Sequence, residues 1–255
     1  MISNVSATEP LPVASAFTVK IGSTTQAISS ISRSGQDLVL QLTSPITAAG
    51  SLLVSYAQPT ANPLKDANGK LMASFSDQSF GQLITGTTGA DTLVGQAGRV
   101  DYFLGSAGAD SLEGRGAADH FVWPDFGTGG PGSFTQTIKD FGFKRGSGSL
   151  QGTLEADLLD LSQLLDGYTS SSTLANFVRA VKGTGDKLSL EIDHNGNIDN
   201  SSTFTKTATL VFDNVTVNTS NQLVVNSQFI SHNSGNLTLT NVISHLMTEG
   251  QLAVL

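Results

Sequence analysis

Residues 86–122 read GTTGADTLVGQAGRVDYFLGSAGADSLEGRGAADHFV, and one rhythm runs through them. Set on glycine, the stretch divides into GTTGADTLV (86–94), GQAGRVDYFL (95–104), GSAGADSLE (105–113) and GRGAADHFV (114–122). Three units have nine residues and one has ten, with Val100 as the insertion. Each carries an aspartate and, two places later, a large apolar residue. Six residues of such a unit suit a turn and three suit a short strand, because glycine admits positive φ and a strand alternates its side chains between two faces. The spacing predicts a coil of two units in which Leu93, Phe103, Leu112 and Phe121 stack as an apolar ladder and Asp91, Asp101, Asp110 and Asp119 stack along the turns. Asp91 then falls over Asp110, and Asp101 over Asp119. Like charges at that spacing repel unless a cation lies between them.

Carboxylates joined by turn carbonyls suit a hard cation with six to eight oxygen ligands, whereas Mg²⁺ demands tighter octahedral geometry, so the ion expected is Ca²⁺. Its candidate ligands are the four aspartates together with the turns at Gly86, Gly89, Gly95, Gly98, Gly105 and Gly108. The pattern resembles the nonapeptide G-G-x-G-x-D-x-U-x of calcium-binding RTX repeats. Thr87, Gln96, Ser106 and Arg115 replace the second glycine, and Ala117 replaces the third in the last unit. Arg99 and Val100 disturb the second turn. Two or three ions are expected, with Asp91/Asp110 the better-formed pair.

Bulk properties agree with a β-rich module. Charged residues are 13% of the chain and glycines number 27, a profile of strands and turns more than of helices. The net charge of −8 disfavours nucleic acid and favours divalent cations. Cysteine is absent, which removes disulfides and thiolate metal sites. No stretch has the length of a membrane-spanning helix, and MISNVSATEPLPVASAF (1–17) lacks the basic and apolar regions of a cleavable signal peptide.

Residues 1–82 alternate as half-buried strands in AFTVKI (16–21), DLVLQL (37–42) and SLLVSYA (51–57). With ANPLKDANGKLMASFSDQSF (61–80), this part resembles the SwmB-type repeat of large bacterial surface proteins, which implies an immunoglobulin-like β-sandwich whose first strands are missing here. Residues 83–255 continue from the repeats into TIKDF (137–141) and LEADLLDLSQLLDG (154–167). That order resembles the C-terminal target domain of proteins exported by bacterial type I secretion. The resemblance implies a calcium role for Asp140 and, more remotely, for Asp157 and Asp160; Asp160 before Leu161 and Ser162 better suits a helix cap. It also implies that the tail HLMTEGQLAVL (245–255), which ends in apolar residues of exposed aspect, holds an uncleaved export signal.

STLANFVRAVKG (172–183) sets Leu174, Phe177, Val178 and Val181 at helical spacing between Ser172 and Gly183, predicting an amphipathic helix. Asp193, Asn195, Asn197 and Asp199 alternate as in half of an EF-hand loop, but the glycine is displaced and no twelfth-position glutamate follows, so an Asn/Gly-rich hairpin turn reads equally well. TATLVFDNV (207–215), NQLVVNSQFI (221–230) and NLTLTNVI (236–243) read as strands.

The four histidines are scattered, there is no H-E-x-x-H and no G-x-S-x-G, and no base is set beside a nucleophile. His120 is expected as a solvent-facing neighbour of Asp119. The whole reads as a mainly β, non-enzymatic chain: a sandwich (1–82), then a short parallel RTX β-roll extended by strands and one or two packed helices (83–255). The function expected is calcium-dependent folding and export at the C-terminus of a large adhesin, secreted or held at the surface of a Gram-negative bacterium. The partners expected for this monomer are calcium ions, the type I secretion machinery and a cell-surface or substratum ligand. Two rivals stand beside it, the tail of a secreted RTX lipase, protease or epimerase, and a calcium-dependent module that itself binds glycan, peptide or ice.

Overall fold

In a computed structural model, the structure describes Ser6 and residues 8–34, 37–44, 46, 49–126, 132–144, 156–196, 204–232 and 235–254. The chain is mainly β and divides into two compact units, Met1–Leu83 and Ile84–Leu255.

The first unit is built from β1 (Phe17–Ile21), β2 (Thr24–Gln26), β3 (Ile28–Ser34), β4 (Asp37–Leu42), β5 (Gly50–Tyr56) and β6 (Phe75–Thr85), the last crossing the boundary. β2, β1, β5 and β6 form an antiparallel sheet in that order, and β3 pairs with β4 as a hairpin. Alternation in FTVKI buries Phe17, Val19 and Ile21, and the first two share one core with Leu38, Val54, Tyr56 and Leu64. The Tyr56 hydroxyl accepts the Leu64 N–H at 2.8 Å, which satisfies both buried groups.

In the second unit, β7 (Thr92–Val94), β8 (Asp101–Leu104), β9 (Ser111–Glu113) and β10 (His120–Val122) fall alternately in two sheets. β7 and β9 are parallel, as are β8 and β10, so two units of the repeat make one coil. Farther along come β11 (Phe134–Ile138), β12 (Leu158–Asp160), β13 (Val178–Lys182), β14 (Lys187–Ile192), β15 (Ala208–Val217), β16 (Leu223–Val225), β17 (Gln228–Phe229), β18 (Ser231–His232), β19 (Gly235–Asn236), α1 (Val242–Thr248) and β20 (Leu252–Ala253). β11 then β15 extend the first sheet in parallel beyond β9, and β12 then β20 extend the second beyond β10. Two apolar columns follow from the register. Leu93, Leu112, Ile138 and Phe212 align on one side, and Phe103, Phe121, Leu159 and Leu252 on the other. All are buried except Leu93, which stands half-exposed at the first coil.

Three local expectations are corrected. Residues 172–183 are not an α-helix: a single 3₁₀ turn, Leu174–Asn176, leads into β13, which pairs antiparallel with β14. Branched Val178 and Val181 suit a strand, and KLSLEI offers them an edge, so tertiary pairing overrides the helical spacing. NLTLTNVI does not form one strand either; it splits between β19 and α1, the one α-helix among the described residues. Leu252 and Val254 of the apolar tail are buried rather than exposed, Leu252 in β20 where it closes the second sheet, while Leu255 lies outside the described residues.

Glycine at the head of each repeat serves room rather than positive φ. Gly86, Gly95, Gly105 and Gly114 all lie outside the left-handed region. A carbon added at Gly95 would lie 2.5 Å from Asp101 Oδ2, and at Gly105 it would overlap the Trp123 indole. Replacing Gly105 by alanine is therefore expected to cost about 1–3 kcal/mol through overpacking, read as a lower midpoint of unfolding followed by Trp123 fluorescence. Gly235→Ala, where an added carbon meets nothing within 4 Å, is expected to leave the midpoint in place.

Candidate metal centre

Parallel register carries the repeat aspartates into two columns on opposite sides of the coil. On one side the pairing of Thr92 with Ser111 and of Ser111 with Thr137 aligns Asp91, Asp110 and Gln136. On the other, the pairing of Tyr102 with His120 and of His120 with Leu158 aligns Asp101, Asp119 and Asp157. Successive rungs of a parallel sheet lie about 4.8 Å apart.

A common hydrogen-bond scheme fastens both columns. The main-chain N–H of each aspartate donates to Oδ1 of the aspartate one coil on: Asp91 to Asp110 at 3.0 Å, Asp101 to Asp119 at 2.8 Å and Asp119 to Asp157 at 2.8 Å. The second oxygen faces a donor from a turn. Asp91 Oδ2 accepts the Thr87 N–H and hydroxyl at 2.6 and 2.8 Å, and those two bonds hold its carboxyl below the usual range. Asp110 Oδ2 accepts the Ser106 hydroxyl at 2.6 Å and the Gln136 amide at 2.9 Å. Asp101 Oδ2 accepts the Gln96 N–H at 2.6 Å, and Asp157 Oδ2 the Gly142 N–H at 2.7 Å.

The two columns differ in what remains unanswered. In the first, Asp91 Oδ2 and both oxygens of Asp110 accept donors, and the column ends in a neutral amide. The second holds three carboxylates in succession, with Asp101, Asp119 and Asp157 exposed by 0%, 1% and 4%. Oδ1 of Asp101 is buried and meets no donor. Burial above all, then the charges of Asp119 and Asp140, pushes the Asp157 carboxyl up to about 8 against the pull of its two N–H donors. At about 4.8 Å and an effective dielectric constant of 20, each adjacent pair of full charges repels by about 3.5 kcal/mol. One charge-assisted hydrogen bond returns about 1.5–3 kcal/mol. The four main-chain donors of this column together offset a repulsion of that size, and what stays unanswered is the buried Oδ1 of Asp101. An oxygen-only donor set with a spare buried oxygen at Asp101 suits a hard cation on this side.

The other candidates are held by the main chain. Asp140 accepts the consecutive N–H groups of Gly114 and Arg115 at 2.9 and 2.7 Å, an arrangement suited to an anion. Asp160 Oδ1 accepts the N–H and hydroxyl of Ser162 and so caps a tight turn rather than an α-helix. Asp193 is buried and accepts the Thr205 N–H at 2.7 Å, which closes the loop after β14. Asn195 is half-buried beside it; Asn197 and Asp199 lie outside the described residues. Among the turn glycines, Gly89 packs its carbonyl against Gly108, Gly86 leaves room for the Asp91 carboxylate, and Gly98 alone of the six takes positive φ, at 70°. His120 is not solvent-facing: it is half-buried between β8 and β12, its ring 4.5 Å from Tyr102, and burial holds its imidazole down at about 4. Among the described residues, no three His, Cys, Asp or Glu side chains converge on one point. Gln136 drew no attention in the sequence; the signal was a polar residue at an inward position of FTQTI, between Phe134 and Ile138.

No protein-family model matches the chain, and no curated protein is similar to it. Among solved structures, the chain is similar to the solution structure of the AlgE6R3 subunit of the Azotobacter vinelandii mannuronan C5-epimerase, with 19% identity over 51% of this chain and 69% of that one. The TM-score is 0.17, so the likeness carries no argument. No helix among the described residues is long and apolar enough to cross a membrane.

The two shifted groups set a pH dependence. With Asp157 raised from 3.8 to about 8, the folded chain holds a proton that the unfolded chain releases, so stability falls as pH rises between those values. With His120 lowered from 6.5 to about 4, stability rises with pH between those values. The two oppose each other below 6.5, and Asp157 acts alone above it. In chelator, stability is expected to drop by about 2 kcal/mol from pH 6.5 to 8. Urea unfolding of Asp157→Asn is expected to show no such drop; an unchanged slope would place the proton elsewhere.

Proposed function

We propose that residues 84–255 are a calcium-dependent folding and export module, a short RTX-type β-roll, at the C-terminal end of a secreted or cell-surface adhesin of a Gram-negative bacterium. The observation that carries the calcium reading is the buried column of Asp101, Asp119 and Asp157 with its unpartnered oxygen. The adhesin reading rests on the SwmB-like sequence of residues 1–82, whose two-layer core suits an immunoglobulin-like sandwich, and on the order of motifs after the repeats. No catalytic role is proposed.

Asp101, Asp119 and Asp157 would hold the calcium ion, which when bound would supply positive charge and Lewis acidity toward oxygen. The chain supplies the rest. Asp101, Asp119 and Asp157 present carboxylates already aimed by main-chain N–H groups, so few rotamers remain to be frozen. Without a cation the same residues repel, and the glycine-rich turns gain much entropy on unfolding. A chain in that condition suits passage through a narrow export channel. Outside the cell, sites of the weak extracellular class, with dissociation constants on the order of 10⁻⁴ to 10⁻³ M, would fill, and binding free energy would become folding free energy.

The sequence has one tryptophan, Trp123, which is fully buried in the second unit and reports on that unit alone. Titrating Ca²⁺ into chelated protein is expected to give a cooperative near-ultraviolet and fluorescence transition of Trp123 that Mg²⁺ does not reproduce. Asp101→Asn is expected to shift its midpoint to about tenfold higher Ca²⁺, the equivalent of one charge-assisted interaction. Identical Trp123 spectra and melting temperatures in chelator and in Ca²⁺ would sink the proposal.

A further inference from the structure

The Asp91/Asp110 column ends at Gln136, and the surroundings of that side chain are unusual for an amide. Gln136 is fully buried. Its Oε1 accepts the Trp123 indole N–H at 2.9 Å, and because that N–H can only donate, the orientation of the amide is fixed. Nε2 consequently faces three oxygens: the Ser106 carbonyl at 2.7 Å, the Asp110 carboxylate at 2.9 Å and the Gly108 carbonyl at 3.5 Å. An amide nitrogen has two hydrogens to offer. Two turn carbonyls and a carboxylate converging on one point form the donor set that a hard cation takes, and the nitrogen stands at that point. The Ser106 hydroxyl covers the same carboxylate oxygen, and Thr87 covers that of Asp91.

We infer that the Gln136 carboxamide is a built-in substitute for a metal ion, so that the Asp91/Asp110 side of the coil is closed without calcium and the ions taken up by this chain belong to the Asp101/Asp119/Asp157 side. The inference deepens the calcium reading proposed above and rests on it for the second clause only. It requires that the residue in rung with Asp110 be neutral and carry hydrogens, which Gln136 is and does. It also explains why Ser and Thr stand at the second position of the first and third turns: their hydroxyls supply positive hydrogen where no cation does.

Gln136→Asp restores an acidic rung and shortens the side chain by one methylene, which leaves room for an ion against Asp110, Ser106 and Gly108. Isothermal titration with Ca²⁺, together with melting in chelator and in Ca²⁺, tests the inference. The variant is expected to bind one more Ca²⁺ per chain than the unmodified protein and to melt about 10 °C lower in chelator, because a buried charge is left uncompensated, with most of the loss recovered in Ca²⁺. Asp110→Asn in the otherwise unmodified chain is expected to leave the ion count unchanged. An equal count in Gln136→Asp, or the loss of an ion in Asp110→Asn, overturns the inference. If the unmodified chain binds no Ca²⁺ at all, the proposed function fails while the gain of a site in Gln136→Asp still decides the role of Gln136.

Discussion

Repulsion between carboxylates that return once per coil to the same buried place is the constraint on which the second unit depends. At roughly 3.5 kcal/mol per adjacent pair, a column of three is a deficit comparable to the whole stability of an ordinary domain. Two answers to the deficit stand side by side in one coil. On one face, hydroxyls and an amide bring hydrogens to Oδ2 of Asp91 and of Asp110. On the other, the buried Oδ1 of Asp101 has no donor, and one carboxyl is driven toward neutrality at about 8. The same motif thus yields two different electrostatic environments, decided by what occupies the third rung: an amide in β11 or an aspartate before β12.

Packing ties those two faces together. Trp123 fills the space over Gly105 and donates to Gln136, which in turn holds Asp110. Removing the room at Gly105 therefore disturbs an apolar contact and a polar column at once. Behind them Phe103 and Phe121 stack at 5.0 Å, and Phe141 meets Phe212 edge-on at 5.1 Å, so the rungs are mounted on a dry, close-packed wall in which small displacements are costly.

The coil itself was legible because its cause is local: a glycine, an aspartate and an apolar residue at fixed spacing determine which residue lies over which. The saturation of each column was not, because the deciding residues lie far away in sequence. Asp157 meets Asp119 across 38 residues and Gln136 meets Asp110 across 26, and neither belongs to a repeat. Residues 172–183 misled for a related reason. Leu174, Phe177, Val178 and Val181 satisfy helical spacing, but Val178–Lys182 also alternates acceptably as a strand, and the partner edge of β14 decided between the two. Glycine meets two different requirements here. Gly98 needs positive φ, whereas Gly105 needs only the absence of a side chain, and sequence does not separate those requirements.

The end of the chain joins this arithmetic. β20 lies beside β12, and Gln251 donates to the carbonyls of Gly142 and Asp157 at 2.6 and 2.9 Å while accepting the Lys144 N–H at 2.5 Å. Gly142 is also the residue whose N–H steadies Asp157 Oδ2. The last strand and the last acidic rung are therefore fixed by one small cluster of main-chain groups, and a change in charge at Asp157 is felt two bonds away by the segment that buries Leu252 and Val254. If calcium neutralises that column, as proposed, the same event seats the tail.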